Sequence, residues 1–343
     1  MGAPLAWLFS LRPPERNQVD DASTMRRAIA NAASVRGTTS PNPWVGAVVT
    51  TMDGSIFDGA TSPAGGPHAE IVALALAGQR ALGATMTVTL EPCVHHGRTP
   101  PCTDAIVAAG IRRVVVGVKD PDQRVAGRGI TALRAAGLEV SVGEASATIT
   151  AQLEPYLVHR STGRPFVILK LAATLDGRTA AADGTSRWIT GAEARADAHR
   201  LRGESDAIVV GAGTVRADDP ALTVRDADGC DPLRVVLGRA PADARVRPCL
   251  ELSGDLGDVL DDLGRRGVVQ VLVEGGATVA HQIHHAGLVN RYVIYLAPSL
   301  AGGSDSAPMF LGPAATTIGS IWRGRFRSIT KLGSDLRIEL DPT

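Results

Sequence analysis

The sequence predicts an α/β protein built as two consecutive domains. Three observations carry that expectation. Strand-sized apolar runs alternate with Ala-rich stretches of helical periodicity along the whole chain. At 343 residues the chain is long for one domain and suits two. A second strand series restarts after the turn Thr162-Gly163-Arg164-Pro165, which sets the expected boundaries at 1–20 for an extension, 21–163 for the first domain and 164–343 for the second. Lys plus Arg number 35 and Asp plus Glu 35, so a broad nucleic-acid-binding surface is not expected. Apolar runs fall far short of the ~20 residues of a membrane helix. Four cysteines are too few for a disulfide scaffold and point to a reducing, cytoplasmic setting.

In chain order, Ala3–Leu11 is apolar, but no basic residue precedes it and no small-residue cleavage site follows, so a signal peptide is not expected. Pro4, Pro13 and Pro14 oppose a regular helix there. Asp21-Ala-Ser-Thr offers capping groups ahead of an amphipathic helix over Met25–Ala33. Strands are expected at Trp44–Thr50 and Gly54–Ala60, joined at Asp53-Gly54, a strong hairpin signal. Helix His68–Leu82, strand Thr85–Leu90, helix Thr103–Ala109, strand Arg113–Val118, helix Ile130–Ala136, strand Leu138–Val142 and a connecting helix Ala145–Arg160 complete the first domain. The second opens on the dense apolar strand Phe166–Ala172 and helix Gly191–Arg202. Strands Ala207–Gly211, Leu233–Leu237, Val268–Val273 and Tyr292–Ala297 follow, and a hairpin of Phe326–Lys331 with Asp335–Leu340 closes the chain. Asp219–Pro248 is polar and rich in turn residues, which predicts loops around its strand.

The first chemical constellation is Gly66-Pro-His68-Ala-Glu70 followed by Glu91-Pro-Cys93 and Cys102. One imidazole and two thiolates supply three corners of a tetrahedral zinc site and leave the fourth open, the arrangement of a catalytic metal. The expected positions of the cysteines, at a helix opening or just after a strand, lower a thiol pKa and favour the thiolate that zinc needs. Glu70, two residues from the ligand His68, is placed to carry protons rather than to ligate. His-x-Glu followed by Pro-Cys and a second Cys is the zinc-deaminase signature, although here eight residues separate the cysteines instead of two. Cys230 and Cys249 lack such neighbours and read as free thiols.

Pro41-Asn42-Pro43-Trp44-Val45-Gly46-Ala47, His68-Ala-Glu70 and Glu91-Pro-Cys93 with Thr99-Pro-Pro-Cys102 resemble the riboflavin-biosynthesis pyrimidine deaminase. The resemblance implies a cytidine-deaminase-like α/β/α domain with Zn2+ on His68, Cys93 and Cys102 and Glu70 as the proton carrier. It places Asn42 against the pyrimidine and His95, Arg98 and Thr99 along the substrate; Arg98 and His95 also suit a phosphate as donors. One position departs: many relatives carry a His seven residues before the zinc His, where this chain has Thr61.

The second constellation begins with Lys170, one of only three lysines, inside the apolar run Phe166-Val-Ile-Leu-Lys-Leu-Ala172. A charge there is either paired and used, or a strand-end group that snorkels to water. Gly211-Ala-Gly213 fails as a dinucleotide fingerprint because position 216 is Arg. Gly275-Gly276 sits between a strand and a helix, where backbone N–H groups can meet a phosphate. Residues Lys170–Thr179, Ser186–Ile189, Ala217–Thr223 and Leu272–Gly276 resemble the reductase that accompanies this deaminase, a dihydrofolate-reductase-like α/β domain using NADPH. The resemblance implies NADPH contacts at Ala172, Trp188, Thr214, Asp218, Gly275, Gly276, Ala277, Thr278 and Val279, and substrate contacts at Ser186, Arg202, Leu222, Arg225 and Glu274. Arg202 and Arg225 suit phosphate as guanidinium forks, with a solvated helix residue the other reading of Arg202. Asp218 reads as an acid or base or as a turn residue, and Lys170 as the group that polarises or protonates the opened sugar.

Together these features predict a bifunctional enzyme. The first domain is expected to remove the 2-amino group of 2,5-diamino-6-ribosylamino-4(3H)-pyrimidinone 5′-phosphate. The second is expected to reduce the ribosyl group, giving 5-amino-6-(5-phosphoribitylamino)uracil. The expected partners are this small phosphorylated pyrimidine and further copies of the chain, as a dimer or tetramer, with no nucleic acid and no membrane. The alternatives are a base deaminase with an accessory dinucleotide-binding domain, disfavoured by zero net charge and 3% aromatics, and a ligand-binding protein with a lapsed site, which intact zinc ligands and carboxylate oppose.

Overall fold

The computed structural model describes residues 20–95, 100–225 and 229–343. The first domain contains α1 (Asp21–Ser34), β1 (Gly46–Thr50), β2 (Ile56–Ala60), α2 (Ala69–Ala77), β3 (Thr85–Leu90), α3 (Cys102–Ala108), β4 (Arg113–Val118), α4 (Arg128–Ala135), β5 (Glu139–Val142) and α5 (Ser146–Thr162). Its sheet runs β2-β1-β3-β4-β5, with β1 antiparallel to both neighbours and β3, β4 and β5 parallel. The cap of α1 is Asp20, whose carboxylate accepts from the Ser23 N–H. Asp21 is therefore the first helical residue, and the expected extension gives up its last residue to the helix. The remainder of that extension lies outside the described residues.

Two glycines fix the layering. A Cβ on Gly46 would overlap the Ala28 carbonyl of α1, and one on Gly59 would overlap the Ala69 carbonyl of α2. Gly59 pairs with Ala47, the residue after Gly46, so these positions face opposite sides of the sheet. Helices α1 and α2 thus cover opposite faces. Helix α5 joins α1 on its side, where Gln152 donates to the Ile29 carbonyl at 2.9 Å. Gly46→Ala should push α1 off the sheet and cost about 1–3 kcal/mol, read as a lower thermal midpoint; an unchanged midpoint would contradict this close approach.

The second domain contains β6 (Phe166–Thr174), β7 (Arg178–Ala180), α6 (Ala192–Gly203), β8 (Ala207–Gly211), α7 (Ala212–Asp218), β9 (Leu233–Leu237) and β10 (Leu250–Leu252). It continues with α8 (Leu256–Arg265), β11 (Gln270–Val273), α9 (Ala277–His285), β12 (Arg291–Ala297), β13 (Ala307–Pro308), β14 (Gly324–Leu332) and β15 (Asp335–Pro342). Eight strands form one sheet in the order β10-β9-β8-β11-β6-β12-β15-β14. It is parallel from β10 to β12 and closes with the antiparallel hairpin β15–β14. Val167, Leu169 and Leu171 of β6 pack with α8 and α9, while Phe166 and Ile168 pack with α6 and α7. Both faces are covered, as a parallel sheet requires. Lys170 shares the α6 face with Phe166 and Ile168.

Helix α8 has no counterpart among the expected elements, although Asp255 caps it by accepting from the N–H groups of Gly257 and Asp258. The two domains meet through ion pairs, Arg36 with Glu204 at 3.2 Å and Glu154 with Arg291.

Candidate active sites

At the first site three segments bring their donors together. His68 caps α2 with extended backbone (φ −73°, ψ 162°), so its ring leaves the start of the helix. Cys93 follows β3, and Cys102 opens α3. His68 Nδ1 lies 3.6 Å from Cys93 Sγ and 3.3 Å from Cys102 Sγ, and the three donor atoms lie within 4.8 Å of one another. Zn–N and Zn–S bonds of about 2.1 and 2.3 Å set tetrahedral N···S edges of about 3.6 Å, so this donor set fits zinc. The Cys102 N–H donates to Cys93 Sγ at 3.3 Å, a helix-start amide turned on a thiolate. Cys93 is held well below the usual thiol range by the hydrogen bond from Cys102, against burial, with further help from His68. Cys102 is pushed up by that same bond and by burial. The pair thus shares a proton that a divalent cation replaces.

Glu70 stands in the first turn of α2, 4% exposed and outside the donor triad. Burial raises its pKa to about 6, with His68 opposing. His68, Cys93 and Glu70 border a cavity of about 450 Å³ that Asn42 and His95 also line, while Cys102 lies buried behind it. His95 Nδ1 is buried without a hydrogen-bond partner among the described residues. Thr61 borders the cavity too, but its hydroxyl is spent on the main chain, accepting from the Val45 N–H at 3.1 Å. Arg98 and Thr99 lie outside the described residues.

Sequence reasoning missed the far wall of this cavity, formed by Asp120, Asp122, Arg124, Tyr156 and Arg160. Tyr156 donates to Asp120 Oδ2 at 3.1 Å, and Arg124 donates to both oxygens of Asp122 at 3.1 and 2.8 Å. Burial raises the Asp120 carboxyl, while Arg124, against burial, lowers Asp122 to about 2.

The second site lies over the carboxyl ends of β6, β8 and β11, where open α/β sheets bind ligands. Glu274 follows β11, whose Val273 pairs with Leu169, so its carboxylate falls beside Lys170. Lys170 Nζ is 3.6 Å from Glu274 Oε2 and 5.8 Å from the centre of the Tyr295 ring. A paired lysine in mid-strand replaces the strand-end alternative. Arg202 sets its Nε and Nη2 on the two oxygens of Glu274 at 2.7 and 2.9 Å. Its fork is turned to a carboxylate and its side chain is only 15% exposed, which corrects the reading of a solvated helix residue. Burial would raise Glu274, but the charges of Lys170 and Arg202 prevail and hold it at about 2.

Beside this trio two turns adjoin. Thr214 Oγ1 of α7 accepts from the Gly276 N–H, the cap of α9, at 3.1 Å. A Cβ on Gly275 would stand 2.6 Å from Val279 Cβ, so the turn packs against α9 only as glycine, and the next residue, Gly276, is exposed with no side chain. That cradle fits the phosphates of a dinucleotide. Ala277 and Thr278 continue it as the first turn of α9, whereas the Val279 side chain is core. Ala172 lies on β6 two residues beyond Lys170. Trp188 is 69% exposed, with Arg195 4.6 Å over its ring, and Ser186 is half-buried on the same loop. Asp218 ends α7, and its carbonyl accepts from Arg187 at 2.6 Å. The Leu222 side chain is core, 4% exposed, which leaves only its backbone available for the expected substrate contact. Arg225 is exposed and packs on His199, a residue the sequence reading passed over.

The family model described as the RibD C-terminal domain matches residues 165–338. The model for the cytidine and deoxycytidylate deaminase zinc-binding region matches 18–118. The riboflavin biosynthesis protein RibD of Mycobacterium tuberculosis is 45% identical over 335 residues, covering 94% of this chain and 97% of that protein. The chain belongs to the RibD family. The RibD of Escherichia coli is 38% identical over 365 residues, 94% of this chain and 99% of its own. A solved Acinetobacter baumannii RibD superposes with TM-score 0.89 at 37% identity, over 94% of this chain and 99% of that one. A Thermotoga maritima structure described as a diaminohydroxyphosphoribosylaminopyrimidine deaminase/5-amino-6-(5-phosphoribosylamino)uracil reductase gives 0.84 at 33%, with the same coverage. The expected fold class, a deaminase-like unit followed by the RibD reductase unit, holds across the chain. No helix among the described residues is long and apolar enough to cross a membrane.

Proposed function

We propose that the two sites act in sequence on one phosphorylated pyrimidine, with the residue roles that follow. The chain is a bifunctional enzyme of riboflavin biosynthesis, a zinc-dependent deaminase joined to an NADPH-dependent reductase. Its domain limits are taken as 21–163 and 164–343. Bound to His68, Cys93 and Cys102, zinc supplies the Lewis acidity that makes water reactive near neutrality. Glu70, buried and raised towards neutrality, takes a proton from the attacking water and returns it to the amine leaving the pyrimidine ring as ammonia. Asn42 and His95 orient the ring from the cavity wall, and Arg98 and Thr99 extend that contact along the substrate.

In the second domain the Thr214 and Gly275–Val279 turns, with Ala172, Trp188 and Asp218, would hold NADPH, which would supply hydride for the sugar carbon bearing the amine. Lys170, paired with Glu274, donates the proton that the opened sugar oxygen needs. Glu274 and Arg202 hold Lys170 in place, and Ser186, the Leu222 backbone and Arg225 grip the sugar phosphate. The single observation that carries the reading is the clustering of His68, Cys93 and Cys102 as one donor set, with Glu70 beside it on the cavity that His68 and Cys93 line.

The exposed strand β14, at the edge of its sheet with Phe326 64% and Ile329 58% exposed, supports a homo-oligomer. Free thiols, among them the exposed Cys230, support a cytoplasmic setting. Removing zinc with a chelator should stop ammonia release from the diaminopyrimidine phosphate. It should leave NADPH oxidation on supplied 5-amino-6-(5-phosphoribosylamino)uracil intact. Ammonia release from metal-free protein would defeat the first assignment.

A further inference from the structure

His199 lies on α6, one turn before Arg202, half-buried beside the Lys170–Glu274 pair. The backbone N–H of Arg225 donates to its Nδ1 at 3.2 Å. A ring nitrogen that accepts through its lone pair carries no proton, so the neutral imidazole bears its hydrogen on Nε2. That N–H faces Arg225 Nη2 at 3.4 Å, and a guanidinium nitrogen can only donate. Two donors facing each other form no bond, but an oxygen between them satisfies both.

Among the described residues, the acceptors nearby are already engaged. Glu274 is held by Arg202 and Lys170. The Thr223 carbonyl takes Arg202 Nη1 at 3.4 Å and makes only a weak contact with the His199 ring, and the Thr223 hydroxyl takes Arg225 Nη1 at 3.4 Å. Burial and the charges of Arg202 and Arg225 hold the imidazole below its usual range, which keeps it a neutral donor at neutrality.

We propose that His199 Nε2–H and Arg225 Nη2 form a two-pronged donor for one phosphoryl group, that of the reductase substrate. His199 is then a phosphate-binding residue and not a proton carrier. The inference rests on the assignment of Arg225 to the sugar phosphate. A charge-assisted hydrogen bond of this kind is worth roughly a tenfold to hundredfold change in binding.

Two substitutions separate the ring's two nitrogens. His199→Asn keeps an acceptor near Nδ1 for the Arg225 N–H and loses the Nε2 donor. His199→Gln places an amide N–H near Nε2. Steady-state reduction is measured with 5-amino-6-(5-phosphoribosylamino)uracil and with the same compound lacking its phosphate, and ammonia release at the other site reports on folding. The expected result is a KM for the phosphorylated compound raised about tenfold or more by His199→Asn and largely restored in His199→Gln. The KM values for the dephosphorylated compound and for NADPH should be unchanged.

Equal losses on both uracils would overturn the proposal, as would rescue by Asn but not Gln, which would make His199 a backbone anchor. A raised KM for NADPH would assign the donor pair to a cofactor phosphate and overturn it too. Arg225→Gln distinguishes the two levels. If it discriminates between the uracils and His199→Asn does not, only His199 is misassigned. If neither discriminates, the phosphate assignment of Arg225 falls with it.

Discussion

Glu70→Gln is expected to lower ammonia release by about 10²–10⁴-fold while NADPH oxidation on the deaminated substrate persists. The substitution keeps side-chain size and removes only the ability to exchange a proton. Because Glu70 lies outside the donor triad, zinc content should stay at one per chain. Both activities are read on the same molecule, so the surviving reduction shows that the variant is folded. If both activities disappeared from a folded, zinc-loaded variant, two independent sites would no longer describe the protein. If ammonia release stayed normal, the proton carrier would lie elsewhere in the cavity.

The second large effect concerns Glu274. Its carboxylate neutralises Lys170 and Arg202, whose side chains are only 17% and 15% exposed. Glu274→Gln leaves two half-buried cations unopposed, which should cost about 3–5 kcal/mol of stability. It should also abolish reduction, because Lys170 loses the partner that holds its ammonium in place. The acid limb of stability supplies an independent readout. With a folded value of about 2 against an ordinary 4.5, the carboxylate contributes stability that is fully present above pH 4.5. That contribution is lost as pH falls towards 2, where the folded protein also takes up the proton. The Gln variant should therefore show a flatter stability profile between those pH values than the parent. Parallel profiles would show that the carboxylate is not held down by its neighbours.

How legible these sites were in the sequence depended on the distance over which their parts interact. His68 and Glu70 lie on one turn and Cys93 and Cys102 flank one loop, so their spacing alone pointed to zinc. Strands such as Thr85–Leu90 and Arg113–Val118 match the expectation because each is a short run of β-branched and apolar residues, the composition that fits a pleated, buried surface. Helix α8 was readable, since Leu256, Val259, Leu260 and Leu263 recur at helical spacing behind a capping Asp255. Its Gly257 and Gly264 disguised it. The far wall of the deaminase cavity gave no such signal. It combines the irregular segment 120–125 with one face of a helix some thirty residues later. The true partner of Arg202, Glu274, lies 72 residues away, and only the adjacency of β11 and β6 brings it beside Lys170. Local pattern cannot distinguish an arginine awaiting a phosphate from one already holding a carboxylate.

Helix α5 makes the chain hard to divide. It gives Ile149 and Leu153 to the first core, Tyr156 and Arg160 to the cavity wall, and ends at Thr162, just before β6 begins at Phe166. A fragment cut after residue 118, where the deaminase family match ends, would lack a wall of its own pocket. The complementary piece would carry a helix with its apolar side stripped bare. Any gene fission or fusion that preserves both activities has one narrow seam, residues 163–165. Even there, separation would strip Arg36 of Glu204 and Arg291 of Glu154, leaving each half to offset charges that the joined chain cancels.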